Sequence, residues 1–179
     1  PLASPKFEPG PPREDAIELA RVVDRGLRES KAIALEELCL IPGKKVFIVF
    51  VDVYVLNHDG NLIDASAMAA FAALLNTKMR KYEVKDGEVE MKPGYTPLPV
   101  KNHPIAITFA KINDKLVADP SLEEEQVMDA RLTISTGKDG KICATQKGER
   151  GIFTKEEILE VVETATGKAE ELRKLVVGK

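Results

Sequence analysis

The spacing of apolar residues predicts a long amphipathic helix near the start of the chain. From about Glu14 to Lys31, apolar side chains recur at steps of three and four, so that they share one helical face. These positions are Ala16, Leu19, Ala20, Val22, Val23 and Leu27. Two prolines precede the segment and two acids open it, as a helix N-terminus favours. Gly26 weakens the helix, which indicates close packing at that point.

A run of β-branched and aromatic residues, KKVFIVFVDVYVL, predicts a strand that is covered on both faces. The turn NHDGN ends it, and the alanine-rich DASAMAAFAALLNT then predicts a closely packed helix with Asp64 as its N-cap. Asp52 is a lone acid within the apolar strand, so we expect a structural hydrogen bond to hold it.

The second half of the chain predicts two β-hairpins and a helix. The charged segment 78–97 has scattered apolar residues, two glycines and two prolines, and it predicts a linker or an exposed hairpin. HPIAITFAKINDKLVADP and RLTISTGKDGKICATQKG each predict a hairpin. Thr154 and Glu157 predict a capping box at the start of the last helix. The pattern therefore indicates an α+β fold with antiparallel strands backed by helices.

Composition restricts the function more than the fold. The 179 residues are 44% hydrophobic and 31% charged, as in globular proteins, and the net charge of −3 gives no general attraction to nucleic acid. RNA would therefore need a local basic patch. Aromatic residues make up 5%, so base stacking on rings is not the expected mode of contact. No stretch approaches the ~18 apolar residues of a membrane span, which predicts a cytoplasmic protein without a membrane partner.

The cysteines and histidines give no sign of a metal site. Cys39 and Cys143 lie far apart among apolar neighbours, and we expect both to be buried, reduced thiols. Neither has a second Cys or a His at metal-ligand spacing, and His58 and His103 stand alone. We therefore expect no metal and no cofactor.

Three long phrases give the chain a family resemblance. FEPGPPREDAIELARVVDRGLRESKAI, VDVYVLNHDGNLIDASAMAAFAALLN and DPSLEEEQVMDARLTI resemble the RNase PH-like ring subunits of the archaeal RNA exosome, and most of all the non-catalytic ones. The resemblance implies an RNase PH-like fold, with a ribosomal protein S5 domain 2-like βα module and an RNase PH C-terminal module. Residues 1–77 would be the C-terminal part of domain 1, 78–97 the linker or hairpin, and 98–179 domain 2. The first strands of domain 1 would precede PLASP, itself an extended proline-rich segment.

The same resemblance implies a function and a set of partners. The chain would pair with a catalytic RNase PH-like subunit in a ring of three heterodimers that also binds exosome cap proteins. That ring degrades single-stranded RNA from its 3′ end, with phosphate as the attacking group. As the non-catalytic member, the chain would structure the partner's active site and hold RNA.

The acidic run DPSLEEEQVMDARL could hold Mg²⁺ beside a phosphate or be a solvated connection. In catalytic members of the family, two acids six residues apart serve the reaction. In that pattern Glu125 takes the first position, but Arg131 brings a fixed positive charge to the second. Asp129 does not replace the missing acid, because two residues along a strand displace a side chain by about 7 Å. We expect Arg131 to pair with a neighbouring carboxylate.

The turn before the alanine-rich helix could cradle an anion, because backbone N–H groups and the helix dipole meet there. Catalytic relatives place an arginine and a hydroxyl residue at this point to hold the attacking phosphate. This chain has Ile63, which donates no hydrogen bond, and Asp64, whose carboxylate repels phosphate. We therefore predict no catalytic residue in this chain.

Arg21, Arg25 and Arg28 share one face of the first helix with Glu18. The pattern alone favours a solvated face with Glu18–Arg21 and Arg25–Glu29 ion pairs. The resemblance implies instead that Arg21 and Arg25 reach the RNA backbone across a subunit boundary, since guanidinium groups fit phosphate oxygens whatever the base. Arg28 is a weaker candidate.

Two other functions stay open on the sequence. An active phosphate-dependent 3′–5′ exoribonuclease is one, although Ile63, Asp64 and Arg131 argue against it. A small α+β interaction module without an RNA role is the other. It fits the acidic net charge but leaves the arginine stripe unexplained.

Overall fold

The computed structural model describes residues 10–178, so the extended segment predicted at the very start of the chain lies outside this range. The helices are α1 (Glu14–Glu29), α2 (Leu62–Asn76), α3 (Leu122–Val127) and α4 (Lys155–Val177), with a 3-10 turn at Leu35–Leu38. The strands are β1 (Cys39–Ile41), β2 (Lys45–Val46), β3 (Lys78–Lys85), β4 (Glu88–Pro97), β5 (Ile105–Ile112), β6 (Lys115–Ala118), β7 (Ala130–Thr136) and β8 (Ile142–Gly148). The α+β class is as predicted.

A four-stranded antiparallel sheet, in the order β6-β5-β7-β8, carries the main core. The two predicted hairpins supply all of its strands, and the predicted Thr154–Glu157 capping box opens α4. Ile107 and Phe109 of β5 pack with Val161 of α4 in the main apolar cluster. This burial of large side chains against a helix is the chief favourable term in holding the layers together.

The opposite face of the sheet meets α1 and α2. Side chains alternate between the two faces of a strand, so Thr108 and Ser135 point away from α4. Thr108 bonds to Asp64 of α2, and Ser135 lies against Gly26 of α1. Helices on both faces explain why β5 and β7 are buried along nearly their whole length.

The prediction of a long strand, covered on both faces, after the Pro-Gly turn is wrong. Only β2 is paired, with β1, and residues 47–61 carry no ladder in the described chain. Phe50, Tyr54 and Leu56 are more than 80% exposed. An apolar strand is covered only where neighbouring strands or helices pack on it. Within residues 10–178, Phe47 and Val49 pack against an apolar cluster that includes Leu74 of α2, but no strand pairs with residues 47–61. Asp52 is exposed for the same reason, so the hydrogen bond expected for it is absent.

Residues 78–97 form a β-hairpin, β3 with β4, that turns at Asp86 and Gly87 with positive φ at both positions. That geometry matches the twist of a two-stranded ribbon. The edge of the Tyr82 ring meets Phe47 at a centroid distance of 5.7 Å, which joins the hairpin to the exposed segment. Its place as a boundary between domains stays a prediction.

The prediction of buried cysteines is wrong for Cys39. Its side chain is exposed on the short strand β1, whereas Cys143 is half-buried on β8. Both are free thiols. Apolar sequence neighbours misled the prediction, because alternate residues of an edge strand face solvent.

Gly26 provides a test of the packing between α1 and the sheet. An added Cβ would lie 3.5 Å from Ser135 Oγ, an ordinary van der Waals distance. We therefore expect Gly26→Ala to stabilise the protein by about 0.5–1 kcal/mol through helix propensity, as measured by urea unfolding. Gly167→Ala in α4 is the matched control, because its Cβ would meet nothing within 4 Å. A loss of stability for Gly26→Ala alone would contradict the observed separation.

Candidate nucleic-acid interface

Arg21 and Arg25 lie side by side on α1, beside β8. Four residues of helix separate their positions by roughly 6 Å along the axis. Arg21 is exposed and has no hydrogen-bond or ion-pair partner within residues 10–178. Arg25 is half-buried, and its Nη1 donates to Gln146 Oε1 at 3.1 Å. Both arginines line a groove of about 370 Å³ with Gln146, so their charges face one surface.

The ion pairs predicted on this helix, Glu18–Arg21 and Arg25–Glu29, do not form. Glu18 is drawn away by Arg131 of β7, and Arg25 is directed to a neutral amide. The only ion pair between two residues of α1, among the described residues, joins Arg28 to Asp24 at 3.1 Å, with both side chains about 60% exposed. Arg21 and Arg25 therefore form no ion pair within the described chain, although Glu14 and Glu18 also line their groove.

Arg131 pairs with a carboxylate, as predicted, and the partner comes from α1. Its Nη2 lies 2.6 Å from Glu18 Oε1, and the Arg131 side chain is 12% exposed. The guanidinium crosses β8 at Gly148, where an added Cβ would stand 2.7 Å from Nη2. A partly buried pair between a guanidinium and a carboxylate restricts the distance and orientation of the two elements that carry them. Here it fixes α1 to the sheet.

The acids of the run point to the backbone of neighbouring turns. Glu125 Oε1 accepts from Asn61 N at 3.0 Å, and Asp129 Oδ2 accepts from Asn113 N at 2.8 Å. Ser121 and Glu124 form a capping box that opens α3. Within residues 10–178 no group of three or more His, Cys, Asp or Glu side chains has an arrangement that could hold a metal ion. The run is thus a structural connection in this chain.

Asn61, and not Asp64, is the N-cap of α2, so that prediction is wrong. Asn61 adopts a left-handed conformation with φ of 42°, and its side chain accepts from Asp64 N. Asparagine tolerates this conformation better than most residues, and its position three before Asp64 is the sequence signal that could have found it. Gly60 is also required, because a Cβ there would lie 2.4 Å from Pro120 O.

Asp64 lies in the first turn of α2 and is buried against β5. Its Oδ2 accepts from Thr108 N at 2.7 Å and from Asn61 Nδ2 at 2.9 Å, and its Oδ1 accepts from Thr108 Oγ1 at 2.7 Å. Burial raises the pKa of the Asp64 carboxyl from 3.8 to about 6, although the hydrogen bonds from Asn61 and Thr108 oppose that change. This carboxylate is a structural anchor.

A cavity of about 530 Å³ lies between α1, the turn before α2 and α3. Its ionisable lining side chains are Glu14, Asp15, Glu18, His58, Glu125, Arg131 and Glu149. Five carboxylates face one guanidinium, so the potential in this cavity disfavours phosphate. Ile63 also lines the cavity, and its apolar side chain donates no hydrogen bond.

Comparison with family sequence models places both halves of the chain in one family. Residues 1–80 match domain 1 of the 3′ exoribonuclease family, and residues 102–168 match domain 2. The chain belongs to the 3′ exoribonuclease family. The RNase PH-like fold that the resemblance implied is therefore confirmed.

Individual members of the 3′ exoribonuclease family are also similar to the chain. It is 57% identical over 99% of its length to the exosome complex component Rrp42 of Thermococcus gammatolerans, and 60% identical over 99% to that of Pyrococcus horikoshii. It spans 66% and 65% of the length of these relatives.

A chain of the Archaeoglobus fulgidus exosome with RNA bound to the active site is similar in structure. The TM-score is 0.85 at 45% identity, covering 97% of this chain and 66% of the other. Among the described residues of this family member, no helix is long and apolar enough to cross a membrane.

The buried carboxyl of Asp64 predicts a specific dependence of stability on pH. Because its pKa is raised in the folded state, its contribution is fully present below pH 3.8 and is lost as the pH rises through about 6. The interval from 3.8 to about 6 corresponds to roughly 3 kcal/mol. The free energy of unfolding should therefore fall by up to that amount relative to Asp64→Asn between pH 4 and 7. Parallel pH profiles in urea unfolding would contradict the raised pKa.

Proposed function

We propose that this chain is a non-catalytic subunit of an archaeal exosome ring, and that it holds single-stranded RNA by its phosphates through Arg21 and Arg25. It pairs with a catalytic RNase PH-like subunit in a trimer of heterodimers, shapes that partner's active site and carries the exosome cap proteins with it. The ring works in the cytoplasm, on RNA that it degrades from the 3′ end. The similarity to Rrp42 exosome components supports membership of such a complex.

The observation that carries the RNA-binding proposal is the release of Arg21 from Glu18. In an isolated helix, Glu18 and Arg21 would neutralise each other at a spacing of three. Arg131 instead holds Glu18 at 2.6 Å, so Arg21 has no carboxylate partner within residues 10–178. Gln146 orients Arg25 without cancelling its charge. Two adjacent guanidinium groups without an ion pair in the described chain suit the phosphates of a nucleic-acid strand.

The proposed absence of catalysis is supported by the internal partners of the polar groups near the turn before α2. The Arg131 guanidinium binds Glu18, Ile63 is 7% exposed and apolar, and the Asn61 N–H at the start of α2 already donates to Glu125. Phosphorolysis needs groups that bind free phosphate or a metal beside the scissile bond. Those groups are proposed to come from the partner subunit.

The arginine pair can be tested in the assembled ring. We expect Arg21→Ala combined with Arg25→Ala to weaken RNA binding at least about tenfold, because each lost charge-assisted hydrogen bond is worth ~1.5–3 kcal/mol. The slope of log affinity against log salt should become shallower by about 1.4, from two lost single-strand phosphate contacts. Fluorescence anisotropy at several salt concentrations measures both quantities.

The matched control removes the same charge elsewhere. Lys155 and Lys168 are exposed on α4, which packs on the other face of the sheet from α1. Lys155→Ala with Lys168→Ala should leave the salt slope unchanged, and Arg21→Lys with Arg25→Lys should preserve most of it. Equal losses for the α1 and α4 variants would show that only overall charge matters, and the proposed site would be abandoned.

The non-catalytic assignment has a separate test. The full-length protein alone, supplied with RNA, Mg²⁺ and phosphate, should release no nucleoside diphosphates, whereas its mixture with the catalytic subunit should release them steadily. Chromatographic quantification of the diphosphates decides the matter. Steady release by the protein alone would establish the competing reading, an active phosphate-dependent 3′–5′ exoribonuclease.

A further inference from the structure

A second cluster of cations lies at the end of the sheet next to α4. It surrounds a cavity of about 490 Å³ formed by the β7–β8 turn, His103 and the C-terminal part of α4. The charged side chains that line it are Lys138, Asp139, Glu170, Arg173 and Lys174. None of these residues belongs to the α1 surface or to the acidic cavity.

Arg173 is the unusual member of this cluster, because it is only 9% exposed and has no carboxylate partner among the described residues. Its Nε donates to His103 O at 2.8 Å, and its Nη2 donates to Thr136 O at 3.0 Å and Thr136 Oγ1 at 3.1 Å. Neutral acceptors hold the guanidinium in place without compensating its charge. A buried cation without a counter-ion is costly to maintain.

The remaining nitrogen of Arg173 is available to a ligand. A guanidinium carries five N–H donors, and the two on Nη1 have no acceptor among residues 10–178. Within those residues the only side-chain nitrogen or oxygen that is both fully enclosed and unpaired is Arg131 Nε. Arg173 Nη1 is therefore accessible from the cavity that the residue lines.

The acids around the cavity are already occupied by lysines. Lys174 lies 2.8 Å from Glu170, and Lys141 lies 3.1 Å from Asp139. Lys174 also keeps the pKa of the Glu170 carboxyl below its usual value. Both carboxylates still attract Arg173 through space, but neither forms an ion pair with it among the described residues.

Lys138 adds a second uncompensated cation. Its Nζ donates to the backbone oxygen of Lys101 at 2.8 Å, and it forms no ion pair with any described residue. Burial lowers the pKa of His103, and the charges of Lys138 and Arg173 lower it further. The His103 imidazole therefore lies in a positive electrostatic potential at the cavity wall.

We propose that this cavity is an oxyanion site that takes a phosphate group. An N–H donor of Arg173 Nη1 would meet a phosphate oxygen, and Lys138 would supply a second cation from the turn. The ligand would provide the counter-charge that Arg173 lacks in the chain. The phosphate can be the free inorganic ion or a phosphate of RNA. The site is independent of Arg21 and Arg25.

The chain has two histidines, so proton NMR can report on the site directly. Inorganic phosphate is titrated against chloride at constant ionic strength, and the ring-proton shifts of both histidines are followed across pH. We expect phosphate to shift the His103 signal and raise its pKa, because an anion would offset the neighbouring cations. His58, in the acidic cavity, should be unaffected. Unchanged behaviour of His103, or equal changes at both histidines, would overturn the proposal.

Variants separate the site from general charge effects. Lys138→Ala should weaken phosphate binding about three- to tenfold, while Lys168→Ala, an exposed lysine of α4 outside the cavity, should not. Arg173→Lys should abolish the His103 response while its unfolding transition remains cooperative. Equal binding by Lys138→Ala and Lys168→Ala would refute the site.

A short single-stranded RNA added in place of phosphate distinguishes the two sources. Binding of either ligand, inorganic phosphate or RNA, supports the proposal if Lys138→Ala weakens it. A His103 shift with RNA that Lys138→Ala weakens identifies a backbone phosphate as the occupant. A response to inorganic phosphate alone identifies the free ion.

Discussion

The carboxylate of Asp64 is the constraint on which the arrangement of the helices depends. It lies between α2 and the central strand β5, where Thr108 donates to it through both backbone N–H and hydroxyl. The same hydroxyl lies 2.8 Å from Thr133 Oγ1 of β7. A buried acid is tolerated only when such donors are fixed around it. The network therefore admits one position of α2 on the sheet, and a helix shifted by one residue would leave the carboxylate without partners.

The position of α1 follows from that of α2. The two helices pack together on the same face of the sheet, and α1 lies against Ser135 of β7 at Gly26. Glu18 then reaches Arg131, which completes the attachment at the other end of the helix. In this geometry Arg21 is left facing solvent without a carboxylate. Arg131 thus binds the acid that would otherwise pair with Arg21 along the helix.

Local signals in the sequence predicted the elements well, and contacts between distant residues decided the rest. The period of α1, the two sheet hairpins and the Thr154–Glu157 box each depend on residues within a few positions of one another. Gln146 as the partner of Arg25 lies 121 residues away, and no pattern along the chain relates them.

The errors have the same origin. A strand pattern such as KKVFIVFVDVYVL states that the residues suit a covered strand, but the cover must come from other segments. Likewise the arginine stripe suggested pairs within α1, because spacing along one helix carries no information about Arg131 on β7. The prediction of Asp64 instead of Asn61 as the N-cap of α2 failed for a different reason. Both residue types cap helices, and only the tertiary contact with Thr108 shows which one is needed elsewhere.

The start of α2 and the surroundings of Arg173 differ in the partners that their positive groups have within the chain. This difference affects where an anion can bind. At the start of α2, the backbone N–H of Asn61 already receives an internal anion, Glu125, and more carboxylates surround the cavity. An external phosphate would have to displace a carboxylate tethered by the chain itself, which is present at high effective concentration. The surroundings of Arg173 differ, because only neutral oxygen atoms accept hydrogen bonds from this buried cation. The turn before α2 thus disfavours an external anion, while a buried guanidinium without an ion pair in the described chain lies on the opposite side of the sheet.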